Sequence, residues 1–300
     1  MAGLVTLTTD FGLRDAYVAE MKGVMLGIAE AARRPLALVD VTHEVEPHDI
    51  TEGALALEAA APYFPPGTVH LAVVDPGVGT ARRGLALAAG GHVFVGPDNG
   101  LFTAFLEAGE WRAFELAEAD YRLPIVSRTF HGRDVFAPAA AHVATGVDPA
   151  RLGPPLSDPV RLAWPEVHAV AGAVAGAVVH ADRFGNLITS IHARTLAPME
   201  GTGGTLPGCP HPMEGTGGTL PGCPHPIGDL VIRVGGREVP LVGTYGDLLV
   251  GRPGALIGSS GRLEVAVREG SAATLLRARR GTAVVVSRIS ARRTTTKRRR

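Results

Sequence analysis

Cysteine is scarce: the 300 residues hold two, Cys209 and Cys223. That excludes a disulfide-stapled scaffold, and no Cys/His array at zinc spacing surrounds the pair. Aromatic residues make up only 5%. Net charge is absent, because 29 basic and 29 acidic residues cancel. The cancellation is uneven. The last nine residues, RRTTTKRRR, carry six positive charges, which leaves an acidic excess on the body. The body has no basic stripe, so no specific nucleic-acid partner is expected, and the basic run reads as a solvated tail. Long apolar segments are also missing. The start, MAGLVTLTTDFG, lacks a basic n-region and an apolar h-region. The richest later run, HAVAGAVAGAVVHADR, is Gly-rich and too short to span a bilayer. These absences predict a soluble cytoplasmic protein without a membrane partner. There is no G-x-G-x-x-G and no G-x-x-x-x-G-K-[ST], which argues against a dinucleotide fold or a P-loop.

What is present is core-forming residue. Hydrophobic side chains make up 46% and charged ones 19%, so a sizeable buried core is expected. In the first half, β-branched runs alternate with helical periodicity. Strands are predicted at 4–9, 36–42, 68–75 and 92–97, and helices at 15–32, 49–64, 100–109 and 134–146. Asp49, with Glu52 three residues on, is a plausible helix cap. Such alternation implies an α/β N-terminal domain with a mostly parallel sheet. The Pro-rich stretch 148–167 reads as a linker. Beyond it, short strands separated by Gly turns imply a smaller all-β, barrel-like C-terminal domain. The expected boundaries are 1–165, 166–290 and a basic tail at 291–300. Inside the second domain MEGTGGTLPGCPHP occurs twice, at 199–212 and 213–226. Two copies of a 14-residue unit are too few for a solenoid, so this reads as a duplication within a disordered loop rather than a metal site.

Chemistry-bearing residues gather at strand ends: Asp10, Asp40 with His43, Asp75, and Asp98 with Asn99. In open α/β sheets, ligands bind beyond the carboxyl ends of the strands. The stretch VVDPGVGTARR (73–83) lacks the Lys-Ser/Thr of a phosphate loop. In RTFHGRDVFAP (128–138), His131 precedes a glycine that permits close backbone approach. DRFGNLITSI (182–191) combines an acid, an aromatic face and an amide, a set suited to a purine-like ligand.

In this order, TLTTDFG, VVDPGVGT-x-RR, GPDNGL, FHGRDVFAP and DRFGNLITSI resemble the S-adenosyl-L-methionine (SAM) hydroxide adenosyltransferase family, hydrolase relatives of the fluorinases and chlorinases. The likeness runs from about residue 4 to 285. It implies hydrolysis of SAM to adenosine and L-methionine without cofactor or metal, in a homotrimer with the active site at a subunit interface. By the same likeness, Asp75, Arg82 and His131 are the catalytic set, with Arg83 as the alternative to Arg82. Asp10 holds the ribose hydroxyls, and Asp15 and Ser259 the methionine end. Phe130 also lines the substrate. Asp182 meets the methionine amine, Phe184 stacks on adenine, and Asn186 hydrogen-bonds it. The halogenases carry Tyr-Pro-Ala-Thr-Gly-Thr where this chain runs from Val74 to Thr80, and lack a counterpart of His131, so halide chemistry is disfavoured. The chain departs from the pattern at VAVREGSA, where an asparagine is expected near Arg268. A SAM- or adenosine-binding sensor without turnover is the other reading. Which of Asp75 and His131 accepts the proton is open at this stage.

Overall fold

The computed structural model describes residues 3–170, 172–196 and 230–288. The repeat at 199–226, with both cysteines, and the tail at 291–300 lie outside the described residues. The chain forms two compact units, one up to Ala163 and one from Trp164 on.

The first unit contains a seven-stranded sheet. Its strands are β1 (Gly3–Thr9), β2 (Leu36–Thr42), β3 (Val69–Val73), β4 (Gly84–Ala89), β5 (His92–Pro97), β6 (Trp111–Glu115) and β7 (Pro155–Leu156). Their order is β2-β1-β3-β5-β4-β6-β7. The pairs β1–β2, β1–β3 and β3–β5 are parallel, whereas β4–β5, β4–β6 and β6–β7 are antiparallel. The sheet is therefore mixed, not mostly parallel. The sequence reading passed over β4 because GLALAA has no β-branched residue. Its hairpin with β5 closes through Gly90 and Gly91, both at positive φ, a turn that fits the strand twist. The predicted linker is corrected too. β7 pairs with β6, so this Pro-rich stretch finds its backbone partners on the sheet edge.

Helices α1 (Tyr17–Ala31), α2 (Ile50–Ala60), α3 (Thr103–Glu107) and α4 (Ala137–Ala144) belong to this unit. Asp49 caps α2 by accepting from the Glu52 N–H at 3.0 Å. A single π turn, Gly132–Phe136, precedes α4. Met21 and Met25 of α1, Phe136 and the alanines of α4 pack on Val5, Leu7, Leu71 and Val73. Because β2, β1, β3 and β5 run the same way, Asp10, Asp40, Asp75 and Asp98 emerge at one sheet edge. The antiparallel β4 starts at that edge, which brings Arg82 and Arg83 back to it.

The second unit is antiparallel. Its strands are β8 (His168–Val170), β9 (Ala173–Ala181), β10 (Leu187–His192), β11 (Leu230–Val234), β12 (Arg237–Val239), β13 (Pro253–Ile257), β14 (Arg262–Val267) and β15 (Ala283–Arg288). The order is β12-β11-β15-β9-β10-β14-β13, with β8 on β9. The ends approach closure, since Ala255 donates to the Pro240 carbonyl at 2.7 Å and Val242 to that of Ala255 at 2.8 Å. Among the described residues the helices here are single turns, α5 (Ala193–Leu196) and α6 (Ala272–Leu276). Val178, Leu187, Ile191, Leu263, Val265 and Val286 fill the interior.

Candidate active site

Between β3 and β4, residues 75–82 loop over the sheet edge. Arg82 reaches back along this loop. Its Nε donates to Asp75 Oδ1 at 2.9 Å, and its Nη2 pairs with Asp75 Oδ2. The same Nη2 lies 2.9 Å from His131 Nδ1. A guanidinium only donates, so Nδ1 is the acceptor and the neutral ring carries its proton on Nε2. Burial holds His131 below its ordinary pKa, and the Arg82 charge adds to this, while Asp75 and Asp134 pull the other way. The Arg82 guanidinium also lies over the Phe136 ring, 4.9 Å from its centre. Arg83 turns away. It bonds Asp98 Oδ2 through Nε at 2.9 Å and Asp158 Oδ1 through Nη1 at 2.9 Å. Arg82 is thus the arginine that faces Asp75.

The loop and the His131 segment are shaped locally. Gly79 has φ +78°, and a Cβ there would sit 2.5 Å from the Arg128 carbonyl oxygen. Gly77 faces Asp75 and Arg82, with room for only a tight Cβ 3.2 Å from Arg82 Cγ. Asp134 is fully buried under the π turn. Its carboxylate accepts from the Ser127 N–H at 2.7 Å and from Arg133 Nε at 2.6 Å, which fixes the segment leading into His131. π turns concentrate at functional sites because they re-aim side chains.

Phe130 joins Phe11 and Tyr17 in an aromatic cluster, with ring centres 5.1–5.8 Å apart. Asp10 follows β1, and its Oδ2 accepts from the His48 N–H at 2.8 Å. His48 adopts φ 69°, rare for a side-chain-bearing residue, to aim that N–H. Asp15 is exposed in the turn before α1.

In the second unit, Asp182, Phe184 and Asn186 share the β9–β10 turn. Asp182 Oδ1 accepts from the N–H groups of Phe184 and Asn186 at 2.9 and 2.8 Å, and Oδ2 accepts from Asn186 Nδ2 at 2.9 Å. Asp182 therefore shapes the turn that presents Phe184, a residue 75% exposed. Ser259 stands in the exposed turn between β13 and β14. Glu264, a buried residue of β14 that the sequence reading did not single out, accepts from the Tyr245 hydroxyl at 2.8 Å. Burial raises both pKa values. An acid flanked by Leu263 and Val265 in a buried strand was the available signal.

The ordered geometry now meets known proteins. A family model described as the SAM hydroxide adenosyltransferase N-terminal domain matches residues 5–153, and its C-terminal counterpart matches 225–285. The chain belongs to the SAM hydroxide adenosyltransferase family. A Thermus thermophilus protein named (R)-S-adenosyl-L-methionine hydrolase is 42% identical over 287 residues, spanning 92% of this chain and 96% of its own. One of the same name from Salinispora tropica is 39% identical, spanning 91% and 93%. A fluorinase from an Actinoplanes species is 32% identical, spanning 64% and 73%. The crystal structure of an uncharacterized conserved protein from Thermotoga maritima has a TM-score of 0.79 at 30% identity and covers 95% of this chain and 100% of its own. Within the family match, Asp10, Asp15, Asp75, Arg82, Phe130 and His131 fall in the N-terminal part and Ser259 in the C-terminal part. Asp182, Phe184 and Asn186 lie between the two matched segments.

Proposed function

We propose that this chain hydrolyses SAM to adenosine and L-methionine by in-line attack of water on the ribose 5′ carbon. The observation that carries the reading is Arg82 gripping Asp75 with two bonds while the same guanidinium reaches His131. Sulfonium is already a good leaving group, so the reaction needs no general acid and no cofactor or Lewis acid at that end. The difficulty is the nucleophile, since bulk water has a pKa near 15.7. Asp75 accepts a hydrogen bond from the water and aims its lone pair at carbon. Arg82 fixes Asp75 and favours hydroxide character by its charge. With its proton on Nε2 and Nδ1 engaged by Arg82, His131 donates to the water rather than taking its proton. Asp75 is then the first acceptor.

The remaining roles follow the family. Asp10 takes the ribose hydroxyls, with its second oxygen already held by His48. Asp15, Asp182 and Ser259 take the methionine end, Phe184 and Asn186 the adenine, and Phe130 lines the site. We read the assembly as a homotrimer with the site completed at a subunit interface. Exposed apolar side chains such as Leu13, Ile125 and Leu249 support burial against another copy. Among the described residues no helix is long and apolar enough to cross a membrane.

The test is chromatography of products after incubation with SAM, with and without chloride. Both sulfonium epimers are supplied, because the relatives' name specifies the (R) form. Equal amounts of adenosine and methionine are expected. Intact SAM with tight binding would point to the sensor, and chlorodeoxyadenosine to a halogenase.

A further inference from the structure

The motif GPDNGL is not used by the chemistry above, yet its two polar residues sit at both ends of the loop that carries Asp75 and Arg82. At the start of the loop, Asn99 Nδ2 donates to the Val74 carbonyl at 2.8 Å. Val74 is fully buried, and its carbonyl belongs to the peptide that leads into Asp75. At the far end, the Asp98 N–H donates to the Arg83 carbonyl at 3.0 Å. The Asp98 carboxylate, itself buried, pairs with Arg83 through Nη2 at 2.7 Å. Its other oxygen accepts from the Val160 N–H at 2.7 Å, which ties the pair to the strap that follows β7.

Between these anchors the loop touches the rest of the unit through Arg82, which reaches His131 and Phe136, and through Gly79 beside Arg128, and its own backbone bonds set its shape. Val78 donates to Asp75, and Thr80 to Gly77, each at 3.2 Å. Those internal bonds fix the shape of the loop, and the bonds at its two ends add to its placement on the sheet edge. We propose that Asp98 and Asn99 are positioning residues that clamp the two ends of the 75–82 loop, so that Asp75 and Arg82 meet the attacking water in register. Two consecutive residues after β5 serve both ends because β5 lies between β3, which the loop leaves, and β4, which it enters. Asn99 is suited to the start. Its Oδ1 takes the Leu101 N–H at 3.3 Å, leaving Nδ2 to reach across to Val74. An aspartate there would set an oxygen against the carbonyl oxygen.

The inference rests on the hydrolase reading for its kinetic arm only. Full-length wild type, Asn99→Ala and Asn99→Asp are compared with SAM as the probe. Misplacing reacting groups by about 1 Å costs on the order of 100-fold, so kcat should fall by about 10- to 100-fold while KM stays within about twofold. A loss of packing alone would not make that split. The second arm needs no turnover. The Arg82 Nε–H resonance, assigned by its disappearance in Arg82→Lys, should exchange faster with water in Asn99→Ala than in wild type. Asp98→Asn, which keeps the backbone bond to Arg83, should show a smaller effect and guards against misfolding of the Asn99 variants. A wild type that leaves SAM intact overturns the hydrolase reading, and the exchange arm then decides the clamp. Unchanged Arg82 exchange, or unchanged kcat beside an active wild type, overturns the clamp.

Discussion

Replacing Arg82 by lysine isolates what the guanidinium contributes, because positive charge is kept and planar geometry is lost. Arg82 spends Nε and Nη2 on the two oxygens of Asp75, shares Nη2 with His131 Nδ1, and stacks on Phe136. Its side chain is 12% exposed and that of Asp75 6%, so water replaces little of what is removed. A lysine ammonium keeps one contact to Asp75 and leaves one carboxylate oxygen and His131 Nδ1 without their donor. Two charge-assisted hydrogen bonds at about 1.5–3 kcal/mol each give roughly 3–6 kcal/mol, or a fall in kcat of about 10² to 10⁴. The assay is initial-rate adenosine release at saturating SAM, with thermal unfolding measured in parallel. Arg83→Lys is the comparison. Its partners are Asp98 and Asp158, and the backbone bond from Asp98 persists, so the loss should stay below about tenfold. An Arg82→Lys enzyme within about threefold of wild type, or an Arg83→Lys enzyme that is the more damaged, would refute the assignment.

Four further outcomes are expected. The acid limb of kcat/KM should lie below the ordinary histidine value of 6.5, because burial and Arg82 depress the His131 pKa. Activity is full above that limb and is lost as pH falls through it, and a pH–rate profile with the limb above neutrality would count against a neutral His131. Gly79→Ala meets the Arg128 carbonyl at 2.5 Å at φ +78° and should cut kcat by at least about tenfold. Gly67→Ala, also at positive φ but with nothing within 4 Å, should cost only about 1 kcal/mol of stability by denaturant titration. His70 is buried between Thr6 and His92, with its pKa pushed down to about 3 by burial and then by His92. The unfolded chain binds the proton first, so stability is full above 6.5 and declines towards pH 3, by up to about 4–5 kcal/mol. Urea unfolding at successive pH values should show that slope, and His70→Leu should remove most of it.

The distribution of what was legible has a physical cause. The sequence by itself determined whatever depends on neighbours along the chain. The strand β1, the helices α1 and α2, the Asp49 cap and the Gly-punctuated strands of the second unit follow from periodicity and local bonds. The five ordered motifs carried the family. The antiparallel β4 escaped because Ala-rich GLALAA has no local strand preference and is held only by its partners β5 and β6. The same is true of β7, whose prolines signal a loop until β6 supplies the hydrogen bonds.

At the site, the sequence named Asp75, His131 and a pair of adjacent arginines. It could not decide between Arg82 and Arg83, which differ only in the contacts they find after the chain folds. Only the tertiary structure set Arg82 against Asp75 and His131, 49 residues from the latter, and turned Arg83 towards Asp98 and Asp158. It also gave GPDNGL a place, because one sheet edge gathers the ends of the parallel β3 and β5 and the start of the antiparallel β4. Residue types and spacing determine which chemistry is available. Long-range strand pairing determines which side chains meet.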